Sequence, residues 1–318
     1  MSFVGEILAL MVAVLWTISS LSSEYASRRY GSLLLNIVRM SLAILFIAGA
    51  LWAVTGSPLP AFATPGVWMW LALSSLAGYI VGDYFFLKCF ILVGARWGEL
   101  FMTIAPPAAA LTGWVLLGEQ MSGWALLGMA VTLAGISLSV LSRKPESHHR
   151  LSVKLPARGI LYGVIAGIGQ GVGLVFSKQG MLLYHAAINS QLVNSQIVNF
   201  LVPFAATMIR CLVALAGFVV MYVLFRRWGR EEHGIRLILA DRRALSLAVL
   251  STITGPCIGV ALSLAASMFT STGITQTLMS LVPVLILWPS HRIYHTRITP
   301  LEILGAVISV AGVALFFV

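Results

Sequence analysis

Four charged residues stand inside long apolar runs: Arg39, Asp83, Glu99 and Arg210, with Lys178 near the end of another such run. Ionised groups in a low-dielectric interior pair with one another, grip a charged solute or exchange a proton. Covalent catalysis has no comparable signature here. The sequence has no nucleophile–base spacing and no metal-ligand cluster. Cys89, Cys211 and Cys257 are scattered through apolar surroundings, and the six histidines lie mostly in polar connections. We therefore expect no enzyme activity, no metal and no cofactor. Under an acid–base reading, Arg39 and Asp83 form one candidate pair. Arg210 has no acid at the matching place, so it must find backbone carbonyls, Glu99 or an anionic group on a bound solute.

The elements that carry these charges are built for a bilayer. Of 318 residues, 59% are hydrophobic and 9% charged, too few charges to cover a water-exposed surface. A helix needs roughly 20 apolar residues to cross about 30 Å of hydrocarbon. Such stretches fall near 5–22, 31–53, 67–86, 97–117, 122–141, 157–178, 201–224, 246–268, 273–290 and 300–317. The predicted fold is an all-α polytopic membrane protein of about ten transmembrane helices. The formal charge of +10 comes from Lys and Arg concentrated in short connections. That is the habit of membrane proteins rather than of nucleic-acid binders, and no nucleic-acid partner is expected. The first segment lacks a basic leader and a small-residue cleavage site, and is read as a retained span.

The sequence repeats itself. At an offset of 177 positions, Gly78 falls on Gly255, Gly82 on Gly259, Met102 on Met279, Pro106 on Pro283, Gly128 on Gly305 and Gly135 on Gly312. With smaller offsets, Arg39 matches Arg210 and Gly5 matches Gly159. The expected organisation is a first five-helix repeat at 1–141, a basic connection at 142–156 and a second five-helix repeat at 157–318. Five spans is an odd number, so the second repeat enters the membrane inverted, the plan of many secondary transporters.

Several short motifs recur in order: Ile104-Ala105-Pro106-Pro107, Leu117-Gly118-Glu119, Gly128 and Gly135, echoed by Val282-Pro283, Gly305 and Gly312, with Trp16 and Arg39 in the first two spans. In these features the chain resembles the EamA-like transporters of the drug/metabolite transporter superfamily, over essentially its full length. The second half departs from the pattern, with Thr296 where Glu119 would repeat and Gln170 where Trp16 would. The resemblance implies a transporter, exporter or exchanger, for a small metabolite or drug, in a bacterial inner membrane. It leaves the cargo open; an anionic group such as that of an amino acid would suit Arg210, and protons are a candidate coupling ion. It implies no oligomeric state, monomer or homodimer.

Topology follows from charge. The odd-numbered connections hold Arg28, Arg29, Lys88, Arg96, Arg143, Lys144, Arg150, Arg226, Arg227, Arg242, Arg243, Arg292 and Arg297 among others, whereas the even ones and both termini offer only Lys178. This bias predicts both termini outside the cytoplasm, opposite to the orientation usual in the resembling family. Pro106, Pro107 and Pro283 break spans at corresponding places. They either kink the helix or shape a central site. The glycine pairs Gly78/Gly82 and Gly255/Gly259, and the Gly159–Gly171 series, predict close helix packing. Glu119 reads as a cap in a tight turn. The expected cargo site comprises Trp16, Arg39, Tyr84, Glu99, Gln170 and Arg210, shaped by the prolines, with Asp83–Arg39 as a structural or coupling pair. A channel would need a ring of repeated filter residues, and none stands out.

Overall fold

The computed structural model describes residues 3–141, 155–189, 195–228, 237–287, 289, 292 and 299–317. Most of the basic connection at 142–156, Thr296 and the Glu231–His233 stretch lie outside them. Among the described residues all regular structure is helical. In chain order the helices are α1 Val4–Thr55, α2 Pro65–Ser75, α3 Tyr84–Phe101, α4 Ala105–Leu117, α5 Gly123–Leu141, α6 Ala157–Asn189 and α7 Ser195–Arg227. There follow α8 Leu237–Ala240, α9 Arg242–Thr252, α10 Ile258–Phe269, α11 Thr272–Met279, α12 Val282–Leu285 and α13 Pro300–Ala314. Seven continuous stretches are long and apolar enough to cross a membrane, and Thr272–Leu285 is a shorter apolar one. The protein is a multi-pass integral membrane protein. Its outward surface agrees: Leu45, Trp52, Trp114, Val115, Val307 and Val310 are more than half exposed, as lipid contact requires.

Two of the seven stretches are too long for one crossing. At about 1.5 Å per residue, the 52 residues of α1 would reach about 78 Å. Gly31 interrupts it with φ 72° and ψ 165°, and Gly94 interrupts α3 with φ 83° and ψ 164°. Only glycine adopts that backbone without strain, since any Cβ would collide with the following carbonyl. The break in α1 therefore consists of one residue, and Arg28 and Arg29 belong to helix rather than loop. α6 and α7 run further than the apolar pattern suggested, to Asn189 and back to Ser195. Nothing between Lys178 and Asn189 breaks a helix; buried Met181 and Tyr184 extend its packed face, and the Tyr184 hydroxyl donates to the Ala61 carbonyl at 2.5 Å.

Short polar side chains fix several helix starts. Thr64 precedes Pro65 and accepts from the Val67 N–H; Asp241 accepts from Ala244 N at 3.0 Å; Thr299 and Glu302 form a reciprocal capping box. π-helical turns span Leu76–Asp83 and Ile253–Cys257. They begin at positions related by the 177 offset.

α5 and α13 cross on their glycines. A Cβ at Gly128 would come within 2.9 Å of the Gly312 carbonyl, and one at Gly135 within 2.7 Å of the Gly305 carbonyl. At the centre of the crossing, the Thr132 hydroxyl donates to the Ser309 carbonyl at 3.4 Å. Exchanging each residue for its partner at the 177 offset turns this set of contacts into itself.

Candidate functional site

The π turns are where the two halves of the chain interlock. Arg39 reaches Gly255, where a Cβ would stand 2.9 Å from its Nη2; Arg210 reaches Gly78, where the distance would be 3.0 Å. Trp16 lies against Gly259 (2.9 Å to Nε1) and Gln170 against Gly82 (3.1 Å to Nε2). Each half thus lends an arginine and a planar side chain to the glycines of the other. The spacing of Gly78/Gly82 and Gly255/Gly259 makes room for these side chains. Gly78 and Gly82 also pack backbone to backbone on α6 as expected, where a Cβ at Gly173 would stand 2.9 Å from Gly78 Cα and one at Gly169 3.3 Å from Gly82 Cα. Gly163, Gly167 and Gly171 do pack closely, against Phe101, Ile104 and Ala105.

Between the π turns lies a cavity of about 70 Å³, enough for a few waters or part of a small solute. Its wall includes Trp16, Ser20, Arg39, Tyr79, Asp83 and Glu99 from the first half, with Gln170, Pro256, Gln276 and Met279 from the second. Phe86, Phe90 and Met102 complete its apolar side.

Arg39 and Asp83 meet at 3.6 Å, both less than a tenth exposed. Asp83 also accepts from Gln170 Nε2 at 2.7 Å, and that amide donates to the Gly78 carbonyl at 2.9 Å. Glu99, 4% exposed, has another environment: the Ser20 hydroxyl donates to its Oε1, and among the described residues no Lys, Arg or His lies within salt-bridge distance. Glu99 is therefore the carboxyl of the cavity wall with no cationic partner among the described residues, whereas Arg39 already faces a carboxylate.

Of the six residues expected at the site, Trp16, Arg39, Glu99 and Gln170 line this cavity; Tyr84 and Arg210 do not. Tyr84 packs against Phe85 and Phe225, on the far side of the helix, with its carbonyl accepting from Ser32 at 2.7 Å. The π turn just before it shifts the helical phase, so Tyr79 faces the cavity instead. Arg210 lies behind that ring, its guanidinium carbon 4.5 Å from the Tyr79 centroid, and it acts electrostatically on Asp83. Among the described residues no acid lies within salt-bridge distance of Arg210, in line with the sequence, although Asp83 is near enough to feel its charge.

The prolines stand beside the wall, not in it. Pro106 and Pro107 occupy the first turn of α4, after a 3-10 turn at Met102–Ile104, where a missing N–H costs nothing. Pro283 similarly starts α12, after α11 ends at Met279. The two interruptions sit at corresponding positions and turn Met102 and Met279 toward the cavity. Glu119 does more than cap its own turn. Its Oε1 pairs with Lys178 at 2.6 Å, and its Oε2 accepts from the N–H and hydroxyl of Thr272, at 2.8 and 2.6 Å.

Tyr79, Gln276 and Pro256 escaped the sequence reading. For Gln276 the signal was available: it stands 177 positions after Glu99.

The EamA-like transporter family model matches residues 3–141 and again 157–318. The chain belongs to that family. This EamA-like transporter is 36% identical over 55 residues to a putative permease-like protein of Bacillus subtilis (strain 168), a match covering 17% of the transporter and 70% of the relative. A solved crystal structure resembles the transporter with a TM-score of 0.70, covering 98% of this chain and 96% of its own, at 16% identity. At that identity the likeness speaks for the fold alone. The family and the permease-like relative make the protein a membrane transporter of small solutes.

Proposed function

We propose that the protein is a secondary transporter, exporter or exchanger, that carries a small metabolite or drug by alternating access. In this reading the chain reverses at Gly31 and Gly94, which divides the long helices and gives ten crossings. Residues 1–141 and 157–318 form two inverted five-helix repeats, the basic connection at 142–156 joins them, and cargo occupies the cavity between the π turns. The setting is a bacterial inner membrane, with both termini outside the cytoplasm.

The observation that carries this reading is the wall of the cavity, where equivalent residues of the two halves face the same space: Glu99 with Gln276, and Met102 with Met279. A central site shared by related halves is what rocking of one half against the other exposes to each side in turn. Helices interrupted at the site, at Met102–Ile104 and before Val282, agree with it.

Counterflow in proteoliposomes tests the proposal once a thermal-stability screen of the purified protein against metabolites has identified a cargo, which stabilises by mass action. External labelled cargo should accumulate transiently against an internal unlabelled pool. Uptake indifferent to the internal pool would indicate a channel and sink the carrier reading.

A further inference from the structure

Two buried acceptors at equivalent positions face the cavity without an adequate donor. Glu99 has the Ser20 hydroxyl on one carboxylate oxygen and no cation among the described residues. Gln276 is 3% exposed, and its side-chain carbonyl oxygen has no hydrogen-bond partner. A buried carbonyl without a donor is costly, and a buried carboxyl without a counter-charge must either keep its proton or take up a cation. Both demands converge on one space. A group that answers them carries positive charge and several N–H donors, and the rest of the wall says what it is attached to. Phe86, Phe90, Met102 and Met279 are apolar and polarisable, suited to an aliphatic or aromatic body.

We infer that the cargo bears a protonated amine, which donates to Glu99 and Gln276 while its apolar body lies on the Phe and Met side chains. This rests on the reading of the cavity as the cargo site. A carboxylate or phosphate would have to compete with Asp83 for Arg39, and it brings no donor to Glu99 or Gln276. The inference replaces the expectation, based on Arg210, of recognition through an anionic group; that guanidinium is covered by the Tyr79 ring.

The test uses purified full-length protein and three probes of similar shape: 2-phenylethylamine, 2-phenylethanol and 3-phenylpropionate. Their dissociation constants are measured by titration calorimetry at neutral pH, with Trp16 fluorescence, isolated by subtracting the Trp16→Phe variant, as a local reporter. The amine should bind about tenfold or more tighter than the alcohol, and the anion weakest. Glu99→Gln keeps an acceptor for Ser20 and should bring the amine to within about threefold of the alcohol. Gln276→Leu should weaken both donors. Equal affinity for amine and alcohol in the parent, tighter binding of the anion, or an unaltered amine preference in Glu99→Gln would overturn the inference. The first of these, accompanied by a Trp16 response, leaves the cavity standing as the cargo site; no Trp16 response to any probe overturns the site as well.

Discussion

Breaking the Lys178–Glu119 contact should open one face of the protein. Glu119 follows α4 in the first half; Lys178 on α6 and Thr272 at the start of α11 belong to the second. Lys178 Nζ also donates to the Thr270 carbonyl at 2.9 Å, so one cluster ties the end of α4 to the connection between α10 and α11. Both charged side chains are 14% exposed, which places the pair well out of bulk water. Lys178→Met preserves length and removes the charge, leaving a carboxylate with only the two Thr272 donors. Removing one partner of a buried pair costs about 3–5 kcal/mol, and slight exposure argues for the lower end. Under alternating access that cost falls on the state closed at this face, because opening hydrates Glu119. About 3 kcal/mol is a shift of about a hundredfold in the closed-to-open ratio. Ala110→Cys provides the readout: Ala110 packs against Gly273, just beneath the cluster, and the three native cysteines are buried. A membrane-impermeant thiol reagent should label Cys at this position much faster in Lys178→Met than in the parent background. Adding Glu119→Gln should slow labelling again, since the unpaired charge is gone. Unchanged labelling in the single variant, or no reversal in the double, would refute the reasoning.

Gly135→Ala should lower the thermal midpoint of the purified protein by the equivalent of about 1–3 kcal/mol, because its Cβ would meet the Ser309 backbone nitrogen at 2.5 Å. Gly49→Ala, with open space around it, should raise the midpoint by about 0.5–1 kcal/mol as a helix-interior glycine is replaced; midpoints moving in the same direction would contradict the crossing. A reporter active only in the cytoplasm should be silent when fused after Val318 and active when inserted next to Arg143; a strong signal after Val318 would restore the opposite orientation.

The helices were legible because length and apolarity are one-dimensional properties, and the repeat because glycines and prolines at fixed spacing leave a register that side-chain drift does not erase. Where helices turned was less legible. In the sequence Gly31 reads as the first residue of a span, since a one-residue interruption leaves no polar stretch to read. The π turn at Leu76–Asp83 has no compositional signature, and its phase shift exchanged Tyr79 for Tyr84 in the expected site. Arg210 was misplaced for a different reason: a sequence reveals a buried charge but not the ring laid over it. Gln276 was within reach, for the offset that paired Met102 with Met279 also pairs Gln276 with Glu99.

What the two halves share and what they do not separate into two kinds of residue. Apart from Arg39/Arg210 and Met102/Met279, the shared ones are small or shape-setting: Gly78/Gly255, Gly82/Gly259, Gly128/Gly305, Gly135/Gly312, Pro106/Pro283. Their close contacts exchange with one another across the crossing of α5 and α13 and across the π turns. Such a scaffold, in the inverted arrangement proposed here, makes the states open to either side similar in packing, so that a modest interaction at the cavity can shift the balance between them. The residues that differ are the chemical ones: Asp83 against Val260, Glu99 against Gln276, Trp16 against Gln170, Glu119 against Thr296. Two carboxylates at Glu99 and 276 would repel each other across a small buried space, and two amides would supply no charge to hold a cation. One of each gives a single charged acceptor steadied by a neutral one. Under the proposed reading, asymmetry in charge on a symmetric frame serves selection of the cargo, while the symmetry serves its movement.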